Sequence, residues 1–252
     1  MVSFVILLYV GLAVYAFFLS DHQIFLPHPP SYRDTPQVLK LKSSSGNKIS
    51  AVYLTNPSAK FTLLISHGNA EDLGDDQYWH ASLQRAGFSV FAYDYQGYGT
   101  SEGKSTEDHA YDDEAAAYDY LTNQLHIPPG QIIIYGKSVG TGPAVHLAAR
   151  QSAAGLILQS PFLSAFRVLT RVPLLPFDKF PNYKEVPRIH IPVLVMHGTA
   201  DQVIGFWHGQ KLYELANAPK SSLWVEGADH NDLEMVAGDR YIKALQSYAD
   251  SL

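Results

Sequence analysis

Gly136-Lys137-Ser138-Val139-Gly140 is a serine with a glycine two residues to either side. The run before it, Gln131-Ile132-Ile133-Ile134-Tyr135, is apolar and strand-like, and the run after it, Thr141 to Arg150, reads as a helix. Gly-x-Ser-x-Gly between a strand and a helix is a nucleophile elbow, a tight turn that leaves the hydroxyl exposed above a sheet edge. Glycine is needed at both flanks because a side chain there would collide with the strand or the helix. A serine hydroxyl is a weak nucleophile at neutral pH, so it needs a base within hydrogen-bond reach and an acid that orients the base.

Both partners are expected after later strands, in the order acid, then histidine. Asp201 follows the strand-like run Pro192 to His197, and His230 follows the run Ser222 to Glu226. Asp229 and Asp232 flank that histidine, and a sequence neighbour rarely reaches the inner nitrogen of the same ring, so they are expected to brace the loop or cap a helix. An oxyanion formed at the serine needs donors aimed at it. The backbone N–H of Val139 should be one; the other should come from His67-Gly68-Asn69-Ala70, with Asn69 the first choice and Ala70 the second. His67 is expected to be structural. The loop Gly97 to Gly103 carries Gly-x-Gly but no Lys-Ser/Thr pair, and reads as a tight turn rather than a phosphate cradle. Ser138 at the nucleophile position excludes an aspartate nucleophile.

The elements that must hold these residues alternate along the chain. Val38 to Lys42 and Lys48 to Leu54 alternate apolar and polar, as in an antiparallel hairpin turning at Ser44 to Asn47. Continuous apolar runs at 61–66, 88–93, 155–160 and 192–197 suit buried strands, separated by helical stretches at 77–86, 106–125 and 205–215 and closed by a helix over 231–249. This pattern predicts an α/β fold with a mostly parallel sheet covered on both faces, as one catalytic domain over residues 37–252. The proline-rich stretch 161–191 interrupts the alternation and is expected to be a short cap over the site, leaving a shallow, open pocket.

The chain has 252 residues, a formal net charge of −6 and no cysteine. The charge and the absence of a basic run exclude a general nucleic-acid binder. Lack of cysteine removes disulfides, thiolate metal sites and palmitoylation of the chain itself. The eleven histidines form no His-Glu-x-x-His or His-x-His cluster, so neither metal nor cofactor is expected. Val2 to Ser20 carries no charged side chain. As a helix, about 19 residues span roughly 28 Å, close to a bilayer core, so residues 1–20 are expected to be a single-pass anchor, with 21–36 as a stiff linker. A cleaved signal peptide and a buried helix are the competing readings. Arg33, Lys40 and Lys42 follow the segment and no Lys or Arg precedes it, which favours a cytoplasmic catalytic domain.

Longer motifs add to the elbow: Phe25-Leu26-Pro27-His28-Pro29-Pro30-Ser31-Tyr32, Ser66-His67-Gly68-Asn69-Ala70-Glu71-Asp72-Leu73-Gly74, Tyr93-Asp94-Tyr95-Gln96-Gly97-Tyr98-Gly99, His197-Gly198-Thr199-Ala200-Asp201 and Trp224-Val225-Glu226-Gly227-Ala228-Asp229-His230-Asn231-Asp232. With Tyr135 to Thr141, they make the chain resemble the α/β-hydrolase superfamily, and within it the α/β-hydrolase domain-containing protein seventeen subgroup of the Bem-forty-six-like group. The resemblance implies a serine hydrolase with Ser138, Asp201 and His230 as its triad, acting on S-acylated proteins at membranes. The chain departs from that subgroup in having an apolar N-terminus where the subgroup has a cysteine-rich, palmitoylated one. The sequence thus predicts a membrane-associated esterase or thioesterase with an acylated protein, lipid or small ester as substrate and membrane lipid as partner. An aminopeptidase or other amidase, a lipid esterase, and an inactive binding protein of the same fold remain as alternatives.

Overall fold

Eight strands hydrogen-bond into one sheet in the order β1-β2-β4-β3-β5-β6-β7-β8. They are β1 (Leu39–Lys42), β2 (Lys48–Leu54), β3 (Thr62–Ser66), β4 (Ser89–Tyr93), β5 (Ile132–Lys137), β6 (Gly155–Gln159), β7 (Val193–Gly198) and β8 (Lys220–Val225). The protein is seen in a computed structural model that describes residues 2–217 and 219–252. β1 and β2 pair antiparallel at one edge, as their alternation requires, and β3 to β8 are parallel to one another.

The apolar runs are continuous because the inner strands are covered on both faces: every residue of β3, β4, β6 and β7 is buried. Alternate side chains point to opposite faces. Leu64, Ile132 and Ile134 thus join one core layer, while Leu63, Ile65 and Ile133 join the other. Helices Glu107–Asp119 and Thr141–Ala148 cover the first layer, and Gln77–Arg85 and Asp239–Asp250 the second. Thr106 caps the helix at 107, its side-chain oxygen accepting from the His109 N–H. The closing helix expected over 231–249 is instead two, Leu233–Ala237 and Asp239–Asp250, because Gly238 between them takes φ 53°.

Strand order reverses between β3 and β5, which lie side by side with Ser66 opposite Gly136. A crevice at the carboxyl ends of the strands opens where such an order reverses. The loops that leave β3 and β5 are those carrying Asn69 and Ser138.

At the N-terminus an α-helix runs Val2–Leu19, while Met1 lies outside the described residues. Among the described residues, no helix is long and apolar enough to cross a membrane. The expected single-pass anchor is therefore not supported: eighteen residues rise about 27 Å, short of a hydrocarbon core of roughly 30 Å. The helix lies instead against the 161–191 stretch. The Tyr9 hydroxyl donates to the Leu174 carbonyl at 3.1 Å, Phe17 meets Phe177 edge-on with ring centres 5.4 Å apart, and just past the helix Asp21 pairs with Lys179 at 3.0 Å. Most of its other apolar side chains, among them Phe4, Leu7, Leu8 and Phe18, are exposed.

Candidate active site

Ser138 sits directly after β5 with φ 53°, the strained backbone of an elbow. The flanking glycines are obligatory for contacts that can be named. A Cβ on Gly136 would lie 2.6 Å from the Gly140 carbonyl and 2.7 Å from Ala144, and one on Gly140 would run into the carbonyls of Ser66 and His67. The turn can therefore close only without side chains at these two positions.

β7 and β8 run parallel with Gly198 opposite Val225. Asp201 follows the first by three residues and His230 follows the second by five. Their loops meet over the elbow: Ser138 Oγ lies 2.9 Å from His230 Nε2, and His230 Nδ1 lies 2.8 Å from Asp201 Oδ2. With Nδ1 donating to the carboxylate, Nε2 is left as the acceptor facing the serine. Asp201 is itself fixed by the backbone N–H groups of Val203 and Ile204, which donate to Oδ1 at 2.9 and 2.7 Å. Asp229 and Asp232 brace the loop as expected, Asp229 accepting from Gln202 N–H and His230 N–H, and Asp232 from Asp229 N–H.

A second histidine, to which the sequence assigned no role, supports the acid. His197 Nε2 lies 3.2 Å from Asp201 Oδ2 and 2.8 Å from the Ile204 carbonyl. Burial alone would raise the Asp201 pKa. Hydrogen bonds from His197 and His230 outweigh it and hold the carboxyl well below the usual range. The signal for His197 was the four-residue spacing in His197-Gly198-Thr199-Ala200-Asp201.

Around Asn69 the donors sort themselves. The Gly68 N–H donates to Glu71 Oε1 at 2.5 Å and the Ala70 N–H to Asn69 Oδ1 at 3.0 Å, while the Asn69 N–H has no protein acceptor among the described residues. The Asn69 side chain is engaged elsewhere: Nδ2 donates to the Ile24 carbonyl at 2.8 Å and Oδ1 accepts from the Leu26 N–H at 2.9 Å. His67 is buried, with Nδ1 2.7 Å from the Gly68 carbonyl and its ring against Tyr95, a structural position.

Sequence reasoning also missed an ionic cluster beside the serine. Lys137 Nζ reaches Glu71 Oε2 at 2.9 Å and Asp76 Oδ1 at 3.9 Å. Burial opposes the lysine's charge, but Glu71, Asp76 and Glu234 outweigh it and keep Lys137 above the ordinary lysine range. Asp76 is pushed up to about 8 by burial and by the charge of Glu71. Glu234, on the short helix after His230, accepts from Gln159 of β6 at 2.7 Å and so ties that helix to the sheet.

Ser138 and His230 open into a cavity of about 560 Å³. Its walls include Phe162, Phe166, Leu175 and Phe177 of the 161–191 stretch, and Leu12, Tyr15 and Ala16 of the N-terminal helix. The cavity is more enclosed than the open cleft expected, because that helix adds a wall to the short cap. Among the described residues His28, Asp72 and Asp75 lie close enough to share a cation. They are already satisfied: His28 Nε2 pairs with Asp75 at 2.9 Å, and Asp72 accepts from the Ser31, Gly74 and Asp75 N–H groups.

Over 220 residues, 86% of this chain and 76% of the relative, the sequence is 43% identical to human alpha/beta hydrolase domain-containing protein 17B. The chain belongs to the alpha/beta hydrolase domain-containing protein 17 family. A mouse 17C protein is 40% identical over 220 residues, 85% of this chain and 68% of its own length. The family model Hydrolase_4, described as serine aminopeptidase, S33, matches residues 57–176. In fold the chain is similar to an esterase from Pyrococcus furiosus, with a TM-score of 0.74 at 18% identity over 89% of this chain and 98% of that one. It is also similar to an esterase from Exiguobacterium antarcticum, with a TM-score of 0.64 at 18% identity over 84% and 98%. The α/β-hydrolase fold and serine-hydrolase class expected from the motifs thus stand.

Proposed function

We propose that the protein hydrolyses acyl esters and thioesters, S-acylated proteins among its substrates, through an acyl-enzyme on Ser138. The observation that carries this reading is the hydrogen-bonded series Ser138–His230–Asp201, at 2.9 and 2.8 Å, with Ser138 and His230 lining a largely apolar cavity. His230 Nε2 takes the Ser138 proton as Oγ bonds to the acyl carbon. The carbonyl electrons move onto oxygen, where the N–H groups of Val139 and Asn69 hold them. Collapse of this intermediate breaks the bond to the alcohol or thiol, which leaves with the proton from His230. Water, deprotonated by His230, then attacks the acyl-enzyme, and the acid departs with Ser138 restored. Asp201 keeps the imidazole in the required tautomer and stabilises its charged form.

A cavity walled by phenylalanine and leucine suits an aliphatic acyl group better than the charged terminus of a peptide, which separates this reading from an aminopeptidase. A fluorophosphonate probe should label the wild type and not a folded Ser138→Ala variant. Labelling that persists in the variant would remove the serine assignment, and faster turnover of aminoacyl amides than of esters would favour the amidase.

We further propose that the exposed apolar side of the helix Val2–Leu19 rests on a lipid surface without crossing it. Phe4, Leu7, Leu8 and Phe18 on the helix and Leu169 and Val172 on the cap supply the apolar contact. Co-sedimentation with phosphatidylcholine vesicles should fall when Leu7 and Phe18 are changed to Ser; undiminished binding would count against lipid contact through this helix.

A further inference from the structure

The cavity at Ser138 has one wall that the sheet does not provide. Leu12, Tyr15 and Ala16, spaced to share a helix face, line it together with Phe166, Leu175 and Phe177 of the cap. Among the described side chains of that helix, Ala16 is the one apolar residue that is buried, at 8% exposure. The helix is fixed at several points. Tyr9 bonds to Leu174, Phe17 packs on Phe177, and Asp21 pairs with Lys179, which also approaches Glu107 at 3.7 Å. Past its end the chain is gripped by the Asn69 side chain through Ile24 and Leu26, and Phe25 is buried among Tyr95, Tyr98 and Phe180. The wall therefore has a set distance from the serine loop.

Charged groups at the cavity surface are already engaged. Lys137 and Glu71 pair with each other, and Asp178 accepts from the Ser164 hydroxyl at 2.7 Å and the Phe166 N–H at 3.1 Å. A sugar or an amine entering there would lose hydration and find only a few neutral partners such as Ser20, Gln23 and Asn231, whereas an alkyl chain needs none. The volume, about 560 Å³, falls among sites that hold sizeable ligands, roughly 300–1,000 Å³.

We propose that the N-terminal helix gauges acyl-chain length: Leu12, Tyr15 and Ala16 form the wall along which the distal part of a linear aliphatic chain lies while its carbonyl sits at Ser138. This inference rests on the acyl-hydrolase reading above. Each methylene buried against such a wall strengthens binding roughly fourfold, so long chains are preferred over short ones. A larger side chain at position 16 shortens the space and leaves the serine end untouched.

The test uses the full chain and p-nitrophenyl esters of acetate, butyrate, dodecanoate and hexadecanoate. Ala16→Phe should lower kcat/KM for the hexadecanoyl ester by about tenfold or more and change the butyryl ester by less than about twofold. Leu12→Ala, which removes contact without adding bulk, should lower the hexadecanoyl-to-butyryl ratio severalfold and carries the test should Ala16→Phe fail to fold. Binding of a fluorescent polyene fatty acid to the Ser138→Ala chain, with and without the wall substitutions, reads the same site without turnover. A wild type that cleaves no acyl ester defeats the hydrolase reading, while fatty-acid affinity still decides the wall. Equal losses for all chain lengths, or unchanged ratios with unchanged fatty-acid affinity in folded variants, overturn the proposal.

Discussion

Lys137 and Glu71 meet across 2.9 Å beside the serine, one from the end of β5 and the other from the loop after β3. The same glutamate accepts the Gly68 N–H, so a single ion pair ties the elbow to the loop that carries Asn69. Removing either partner leaves the other charge in a largely buried place and frees the two loops from one another.

Glu71→Gln and Lys137→Met are therefore expected to lower kcat by about 10–100-fold through small displacements of the donors. KM for the butyryl ester should change little, because the apolar part of the cavity wall, which meets the acyl chain, is not altered. Steady-state kinetics separate the two. A rise in KM at constant kcat would place the pair in substrate binding instead.

Asp201→Asn should keep the fold but reduce kcat by up to about 10,000-fold, since an amide allows the wrong imidazole tautomer. His197→Phe removes one of the two ring donors on the carboxylate, so a smaller loss, about tenfold, is expected. If His197→Phe matches Asp201→Asn in kinetics while its melting temperature is unchanged, His197 has a more direct part than support of Asp201.

The pH dependence of stability should carry the mark of Asp76. Its pKa in the folded protein, about 8, lies above the ordinary carboxyl value of about 3.9. Between these values the folded state binds more protons than the unfolded one, so this contribution is full in acid and is lost as pH rises through about 8. Asp76→Asn removes that slope. The variant should lose less melting temperature than wild type between about pH 5 and about pH 8, with roughly 2–4 °C for each kcal/mol involved. Calorimetry at a series of pH values checks it, and an equal or steeper decline in the variant contradicts it.

Gly136→Ala should destabilise the protein by about 1–3 kcal/mol or more, because the added carbon presses on the Gly140 carbonyl and Ala144 rather than on a movable side-chain tip. Chemical denaturation measures the loss. Gly130→Ala, where a Cβ meets nothing within 4 Å, is the matched control and should be close to neutral.

Ser138, Asp201 and His230 were legible in the sequence because each stands within five residues of a strand's end, and strand order along the chain fixes which loop is which. Asn69 was legible as a residue of the loop after β3 on the same grounds. The division of labour within it was not, since only the structure shows its side chain bonded to Ile24 and Leu26. Glu71, Asp76 and Lys137 escaped notice because their meeting depends on β3 and β5 lying side by side. The helix Val2–Leu19 reads from its apolar run as a membrane span, a reading local to the segment. Its contacts at Leu174 and Phe177 lie some 160 residues downstream, beyond the reach of periodicity.

Asn69 turns one face of its chemistry toward the linker and offers another at the serine loop. Alanine scanning would therefore mislead at this position. Asn69→Ala keeps the backbone N–H but deletes the tether and frees the Ala70 N–H and the Tyr98 hydroxyl, so lost activity would report these changes rather than a missing Asn69 N–H. The amide itself is open to interrogation by backbone chemistry, such as replacement of that one peptide bond with an ester.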